Sequence, residues 1–259
     1  MKSIASFDVD MTLLDHKDWM IPDSAMETIE KLREKYIIVV ATGRDMDSHY
    51  STAIRDQINP DAIIHSNGTK ITVGEDIIYH HTFDKDLLSR ILAYGENNKF
   101  SLGASVGELD YYTNPENVKR HDEDLWGECM RRFADPAKLM SLPVGTLAYI
   151  GNDHGADKLR KEFPQIQVHM FAERRGGDVV EKEASKATGL QRLCEYYGIP
   201  MKNTVAFGDS MNDYDIVKAA GIGIAMGNAM EELKRAADYV TDSIDQHGIR
   251  NACIRFGMI

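Results

Sequence analysis

Cysteine is scarce in this chain, and its apolar runs are short. Cys129, Cys194 and Cys253 are the three cysteines in 259 residues. An odd, scattered set offers neither a disulfide framework nor the paired spacing of a zinc site. Reduced thiols, as in the cytoplasm, are therefore expected. No stretch approaches the roughly 20 apolar residues of a membrane-spanning helix. The opening segment MKSIASFDVD lacks the apolar core of a secretory signal. Positive charge is in deficit too, with 30 Lys and Arg against 41 Asp and Glu and a net charge of -11. That balance argues against a nucleic-acid partner, which basic surface would bind. It does not exclude a small anionic substrate, because a bound cation can reverse the local field. No internal repeat or low-complexity tract is present.

The composition is otherwise that of a globular chain, with 43% hydrophobic and 27% charged residues. The length suits one large domain or two modest ones. The first part opens with an apolar run, Ser3 to Phe7, that ends in acidic residues. Met26, Ile29, Leu32 and Tyr36 then recur at helical spacing after Pro22 and Asp23. Ile37 to Ala41 and Ala62 to Ile64 read as strands buried on both faces, the second leading into the turn signal Ser66-Asn67-Gly68. The last part repeats this grammar. A helix pattern through Leu190, Leu193, Cys194 and Tyr197 is followed by the strand-like runs Thr204 to Phe207, Ile222 to Met226 and Tyr239 to Thr241. Alternating buried strands and helices predict an α/β fold, a Rossmann-like, doubly wound parallel sheet with helices on both faces. The segment between is richer in charge and Tyr, with short mixed runs, and reads as a smaller α+β domain inserted into the first. The expected boundaries are 1–82 and 183–259 for the core and 83–182 for the insert.

Three polar clusters directly follow strand-like runs: Asp8-Val9-Asp10-Met11-Thr12, Thr42-Gly43-Arg44, and Gly208-Asp209-Ser210-Met211-Asn212-Asp213. In open parallel sheets the carboxyl ends of the strands form the ligand crevice, so these distant segments should meet. Lys186 opens a helix pattern, where backbone N–H groups favour an anion. Asp8, Asp10, Asp209 and Asp213 cannot crowd together without a cation, since like charges raise one another's pKa. All-oxygen ligands favour a hard ion, magnesium beside a phosphate. Thr42, the Gly43 N–H and Lys186 would supply donors to phosphoryl oxygens. One carboxylate can then attack phosphorus while another handles protons.

These clusters resemble, in order and spacing, the four motifs of the haloacid dehalogenase-like hydrolases. The segment Ala220 to Ala229 resembles the Cof-like subfamily, which carries a cap between the second and third motifs. The resemblance implies a magnesium-dependent phosphatase acting on a small phosphorylated metabolite, a sugar phosphate or a phosphorylated cofactor. It implies Asp8 as nucleophile and metal ligand, and Asp10 as general acid/base with its main-chain carbonyl on the metal. It adds Asp209 and Asp213 as further metal ligands. Thr42, Gly43, Lys186, Asn212 and the Val9 N–H would hold phosphate, with Arg44, Asn67 and Gly68 near the substrate. Met11 stands where the family usually has Gly, and Ser243 to Gly248 departs from the commoner subfamily sequence.

Other features take bland readings. His80-His81 point opposite ways on a strand, Tyr111-Tyr112 suit packing, Arg174-Arg175 suit solvated charge, and Glu231 to Arg235 suits an exposed helix face. A monomer or weak homodimer in the cytoplasm is expected. The alternatives to hydrolysis are phosphoryl transfer to a second metabolite, as in a phosphomutase, a signalling receiver, and a non-catalytic phosphate-binding module. Receivers carry their acceptor after a later strand, and the full catalytic set speaks against a binding module.

Overall fold

The computed structural model describes residues 2–171 and 174–259. The chain forms two compact units: Met1–Met46, Ala53–Tyr79 and Ala184–Ile259 make the first, and Asp47–Thr52 and His80–Glu183 the second. In sequence, the bulk of the second is an insert in the first. The elements begin with β1 (Ser3–Phe7), α1 (Asp23–Leu32), β2 (Tyr36–Ala41), α2 (Thr52–Ile58), β3 (Ala62–His65), β4 (Lys70–Val73) and β5 (Asp76–His80). The middle holds α3 (Lys85–Asn98), β6 (Ser101–Val106), β7 (Leu109–Tyr112), α4 (Pro115–Trp126), β8 (Phe133–Ala134), β9 (Leu147–Ile150), α5 (Asp153–Glu162), β10 (Ile166–Met170) and β11 (Gly176–Glu181). The chain finishes with α6 (Lys186–Tyr197), β12 (Thr204–Gly208), α7 (Tyr214–Ala219), β13 (Ile222–Ala225), α8 (Glu231–Ala236), β14 (Tyr239–Val240) and α9 (Gly248–Arg255).

The first unit is built on a sheet of order β14-β13-β12-β1-β2-β3-β4-β5. The strands from β14 to β3 run parallel, and β4 turns back antiparallel along β3. Successive side chains on a strand face opposite sides. Ile4, Ala5, Ser6 and Phe7 of β1 are all buried, as is every residue of β3 and β12, so both faces of the sheet are covered. Helix α1 packs with α9, and α6 with α7. From β1 the chain winds to β2 on one side and later to β12 on the other, so the strand order reverses at β1. Such a reversal opens a crevice at the carboxyl ends of the strands. Beneath it the Phe7 and Phe207 rings stack with centroids 4.9 Å apart.

The helical spacing read through Tyr36 stops earlier than the sequence suggests. Helix α1 ends at Leu32, and Tyr36 opens β2 opposite Ser3. The Leu32 carbonyl accepts from Lys35 N at 2.9 Å, closing the turn that reverses the chain.

The second unit has its own sheet, of order β10-β11-β9-β6-β7-β8, antiparallel except for β7 with β8. Leu88 and Ile91 of α3, Leu102, Leu147, Tyr149 and Leu159 lie in its core. Tyr111 and Tyr112 are buried within this unit, whereas Arg174 and Arg175 make exposed ion pairs with Asp153 and Asp124. His81 pairs with Glu181 at 2.7 Å. Among the described residues, no helix is long and apolar enough to cross a membrane.

Candidate active site

Adjacent parallel strands deliver the motif residues to one edge. Asp8 follows β1, Thr42 follows β2, Asn67 lies just past β3, and Asp209 follows β12. Asp8 N still donates to Phe207 O at 3.1 Å, so the ladder holds the start of the loop in register.

Asp8, Asp209 and Asp213 are buried, and each offers a carboxylate oxygen within 4.8 Å of the others. Lys186, first residue of α6 and 1% exposed, donates from Nζ to Asp8 Oδ1 at 2.7 Å and to Asp213 Oδ1 at 2.6 Å. The other Asp213 oxygen accepts from the backbone N–H groups of Asp209 at 3.0 Å and Ser210 at 3.1 Å. That approach requires glycine at 208, where a Cβ would lie 2.4 Å from the Asp213 Cβ. Thr12 Oγ1 donates to Asp209 Oδ1 at 3.3 Å.

Three acids and one ammonium leave two negative charges uncompensated in a buried space. The protein groups register this imbalance. Burial, then the Asp213 charge, pushes the Asp8 carboxyl up to about 7. Burial, then Asp8 and Asp213, pushes Asp209 well above the usual carboxylate range. Burial works against the Lys186 charge, but Asp213 and Asp8 hold it above the ordinary lysine value. Anionic, all-oxygen donors with a surplus of two charges fit a hard divalent cation.

Asp10 stands apart from this trio. Its carboxylate takes a two-pronged grip from Arg44, Nε to Oδ2 at 2.7 Å and Nη2 to Oδ1 at 2.6 Å, and lies 2.7 Å from His16 Nε2. Burial raises its pKa, but the hydrogen bonds from Arg44 and His16 outweigh burial and hold the group well below the usual range. The sequence placed four carboxylates together; three side chains converge, and the fourth is held by Arg44 and His16. Met11 has φ 57°, in the left-handed region that L side chains adopt at a cost. Its N–H donates to Leu14 O at 2.8 Å, and its carbonyl accepts from Asn228 Nδ2 at 2.8 Å.

The remaining motif residues brace one another. Thr42 is buried, its N–H donating to Ile64 O at 2.9 Å and its Oγ1 accepting from Arg44 N at 3.1 Å across Gly43. The Val9 carbonyl accepts from Leu13 N at 2.8 Å and Leu14 N at 2.7 Å, closing the loop after β1. Asn212 donates to Asn67 Oδ1 at 3.0 Å and accepts from Ser210 Oγ at 2.6 Å. Gly68, at φ +96°, sits against the N-cap of α6, where a Cβ would come 2.1 Å from Ser185 O. The Asn67-Gly68 turn thus seats the helix that carries Lys186, and Ser185 caps that helix by accepting from Thr188 N at 3.1 Å. His16 was not singled out from sequence, and Thr12, the last residue of the first cluster, was given no role there. Asn228 lay in the segment carrying the subfamily resemblance, and its link to Met11 has no local sequence signal.

A parallel α/β sheet whose strand ends gather buried carboxylates around one lysine suits phosphoryl-transfer chemistry. The chain belongs to the haloacid dehalogenase-like hydrolases, whose family model matches residues 5–253. It is an enzyme of the phosphatase class within that family. Phosphatase YwpJ of Bacillus subtilis is 28% identical over 96% of this chain and 97% of its own length. The 5-amino-6-(5-phospho-D-ribitylamino)uracil phosphatase YitU of the same organism is 24% identical over 95% of this chain and 94% of its own. The solved structure of the HAD subclass IIB sugar phosphatase BT4131 superposes with a TM-score of 0.90, at 27% identity and full coverage of both chains.

Proposed function

We propose that this protein hydrolyses a small phosphomonoester through a phospho-aspartate at Asp8, with magnesium as cofactor. The observation that carries the reading is the Asp8–Lys186–Asp213 arrangement beside Asp209, a buried anionic nest with a single ammonium at its centre. Asp8, Asp209, Asp213 and the Asp10 carbonyl would hold Mg2+, which supplies charge neutralisation for the incoming phosphate. Lys186 steadies the Asp8 carboxylate and offers positive charge to the phosphoryl oxygens. Thr42, the Gly43 and Val9 N–H groups and Asn212 would orient those oxygens. Asp8 attacks phosphorus, and the leaving oxygen takes a proton from Asp10, which Arg44 and His16 hold ionised in this structure and which must first gain that proton from solvent water as Arg44 lets go. Asp10 then draws a proton from the water that cleaves the acyl phosphate, which releases inorganic phosphate and restores Asp8. Arg44 grips Asp10 in this structure, so Asp10 must exchange that partner for the leaving oxygen during turnover.

The substrate class is a sugar phosphate or a phosphorylated cofactor, supported by the activities named for BT4131 and YitU. Specificity is assigned to the inserted segment 83–182, outside the residues that perform the chemistry. A cytoplasmic site of action is supported by free Cys129, Cys194 and Cys253. The test is phosphate release from a panel of phosphorylated metabolites with Mg2+. Release without an added acceptor supports hydrolysis, whereas phosphate appearing only on a second metabolite would make the protein a phosphotransferase.

A further inference from the structure

The loop between β1 and α1 is a folded device rather than a passive link. Met11 N donates to Leu14 O at 2.8 Å, Asp15 N to Met20 O at 2.9 Å, and Trp19 N to Asp15 O at 2.8 Å. Asp15 Oδ1 accepts from Lys17 N at 2.9 Å and Asp18 Oδ1 from Met20 N at 3.0 Å. Trp19, at φ 59°, lays its ring against His16 with centroids 4.4 Å apart and planes 20° apart. The loop therefore presents the His16 ring in one orientation, with Nε2 2.7 Å from Asp10 Oδ1. Arg44 reaches the same carboxylate from the end of β2, so two chain segments fix Asp10 between them.

We propose that His16 is a positioning residue for Asp10, holding its carboxylate where the leaving oxygen of the substrate will lie. This inference rests on the reading of Asp10 as general acid/base. The Asp10 side chain has two torsions, and the Arg44 fork must loosen for Asp10 to meet a substrate. His16 is the contact that can keep the carboxylate in place while Arg44 lets go. Trp19 in turn keeps the His16 ring from rotating away. A group that acts through Asp10 affects the step Asp10 serves, which matters most when the leaving group is poor.

The test compares nitrophenyl phosphate with an alkyl phosphate in saturating Mg2+, for the wild type, His16→Ala, His16→Gln, Trp19→Leu and Asp10→Asn. His16→Ala is expected to lower kcat for the alkyl phosphate by about ten- to a hundredfold. The nitrophenyl ester should lose only a few-fold, with KM steady for both. His16→Gln places an amide N–H about where Nε2 lies and should restore most of the loss. Trp19→Leu should show the same leaving-group bias in weaker form. Equal losses on both esters, a change in KM alone, or a Gln variant as poor as Ala would overturn the proposal. Asp10→Asn separates the two levels. If it shows no leaving-group bias, the reading of Asp10 itself fails; if it shows the bias and His16→Ala does not, only the role of His16 falls.

Discussion

Lys186 Nζ bridges Asp8 and Asp213 at 2.7 and 2.6 Å from a fully buried position, so the candidate nucleophile and a candidate metal ligand share one counter-ion. Removing that ammonium leaves three buried acids facing one another. Lys186→Ala should reduce turnover by about a hundredfold or more, the scale of losing one electrostatic contact to the transition state. Lys186→Arg should recover little, because a planar fork does not replace a compact point charge in a closed space. Circular dichroism should show both variants folded. Turnover within a few-fold of wild type in either would remove Lys186 from the machinery.

Met11 occupies a left-handed position at φ 57°, between the candidate acid/base and Thr12. That conformation costs an L residue about 1–2 kcal/mol, part of which glycine loses again through its freer unfolded chain. Met11→Gly should therefore raise the unfolding free energy by up to about 1 kcal/mol relative to Met11→Ala, measured in urea. Activity should change only modestly, since the turn is already formed. A glycine variant less stable than the alanine variant would show that the backbone there carries no strain.

The carboxylate trio makes stability depend on pH in a way that metal should cancel. Asp8 is raised to about 7 by burial and by Asp213, so the metal-free folded chain holds a proton there more tightly than the unfolded chain does. Stability from this group is full below the ordinary carboxylate value and is lost as pH rises toward and through about 7. Asp10 has the opposite sign, and its contribution is lost only in acid, below the ordinary carboxylate range. The melting temperature of chelator-treated protein should thus fall between about pH 5 and pH 7.5. Excess Mg2+ should raise it and flatten the slope, because a ligand bound only by the folded state adds stability. Chelation should also abolish turnover, with magnesium restoring it. A melting curve indifferent to both pH and metal would contradict the charge imbalance described.

The parallel core and the strand-end clusters were legible because they rest on local patterns. Ile37 to Ala41 and Thr204 to Phe207 are continuous apolar runs, and a doubly covered strand has little other way to be written. The polar residues that stop those runs then fall at one edge by topology alone. The partners of Asp10 were not legible. Arg44 reaches it from just past β2 and His16 from six residues further along the chain, contacts that no local sequence pattern announces. Nor did the turn signal at Asn67-Gly68 reveal that its glycine is needed for close approach to Ser185. In the inserted unit, α4 escaped notice because its buried positions Val118, His121 and Asp122 include only one apolar side chain. Asp122 is held there by Arg131 at 2.7 Å, a pairing that hydropathy does not record.

The central claim is that Asp8 carries the phosphoryl group, and the most direct measurement is rapid-quench trapping of phospho-enzyme with an aryl phosphate. Nitrophenolate leaves with little protonation, so Asp10→Asn should still be phosphorylated and should then stall, because the base that activates water is gone. The account predicts a burst of nitrophenolate and an accumulating acyl phosphate in Asp10→Asn, mapped to the peptide containing Asp8, and neither in Asp8→Asn. A burst and a trapped phosphoryl group in Asp8→Asn would contradict it.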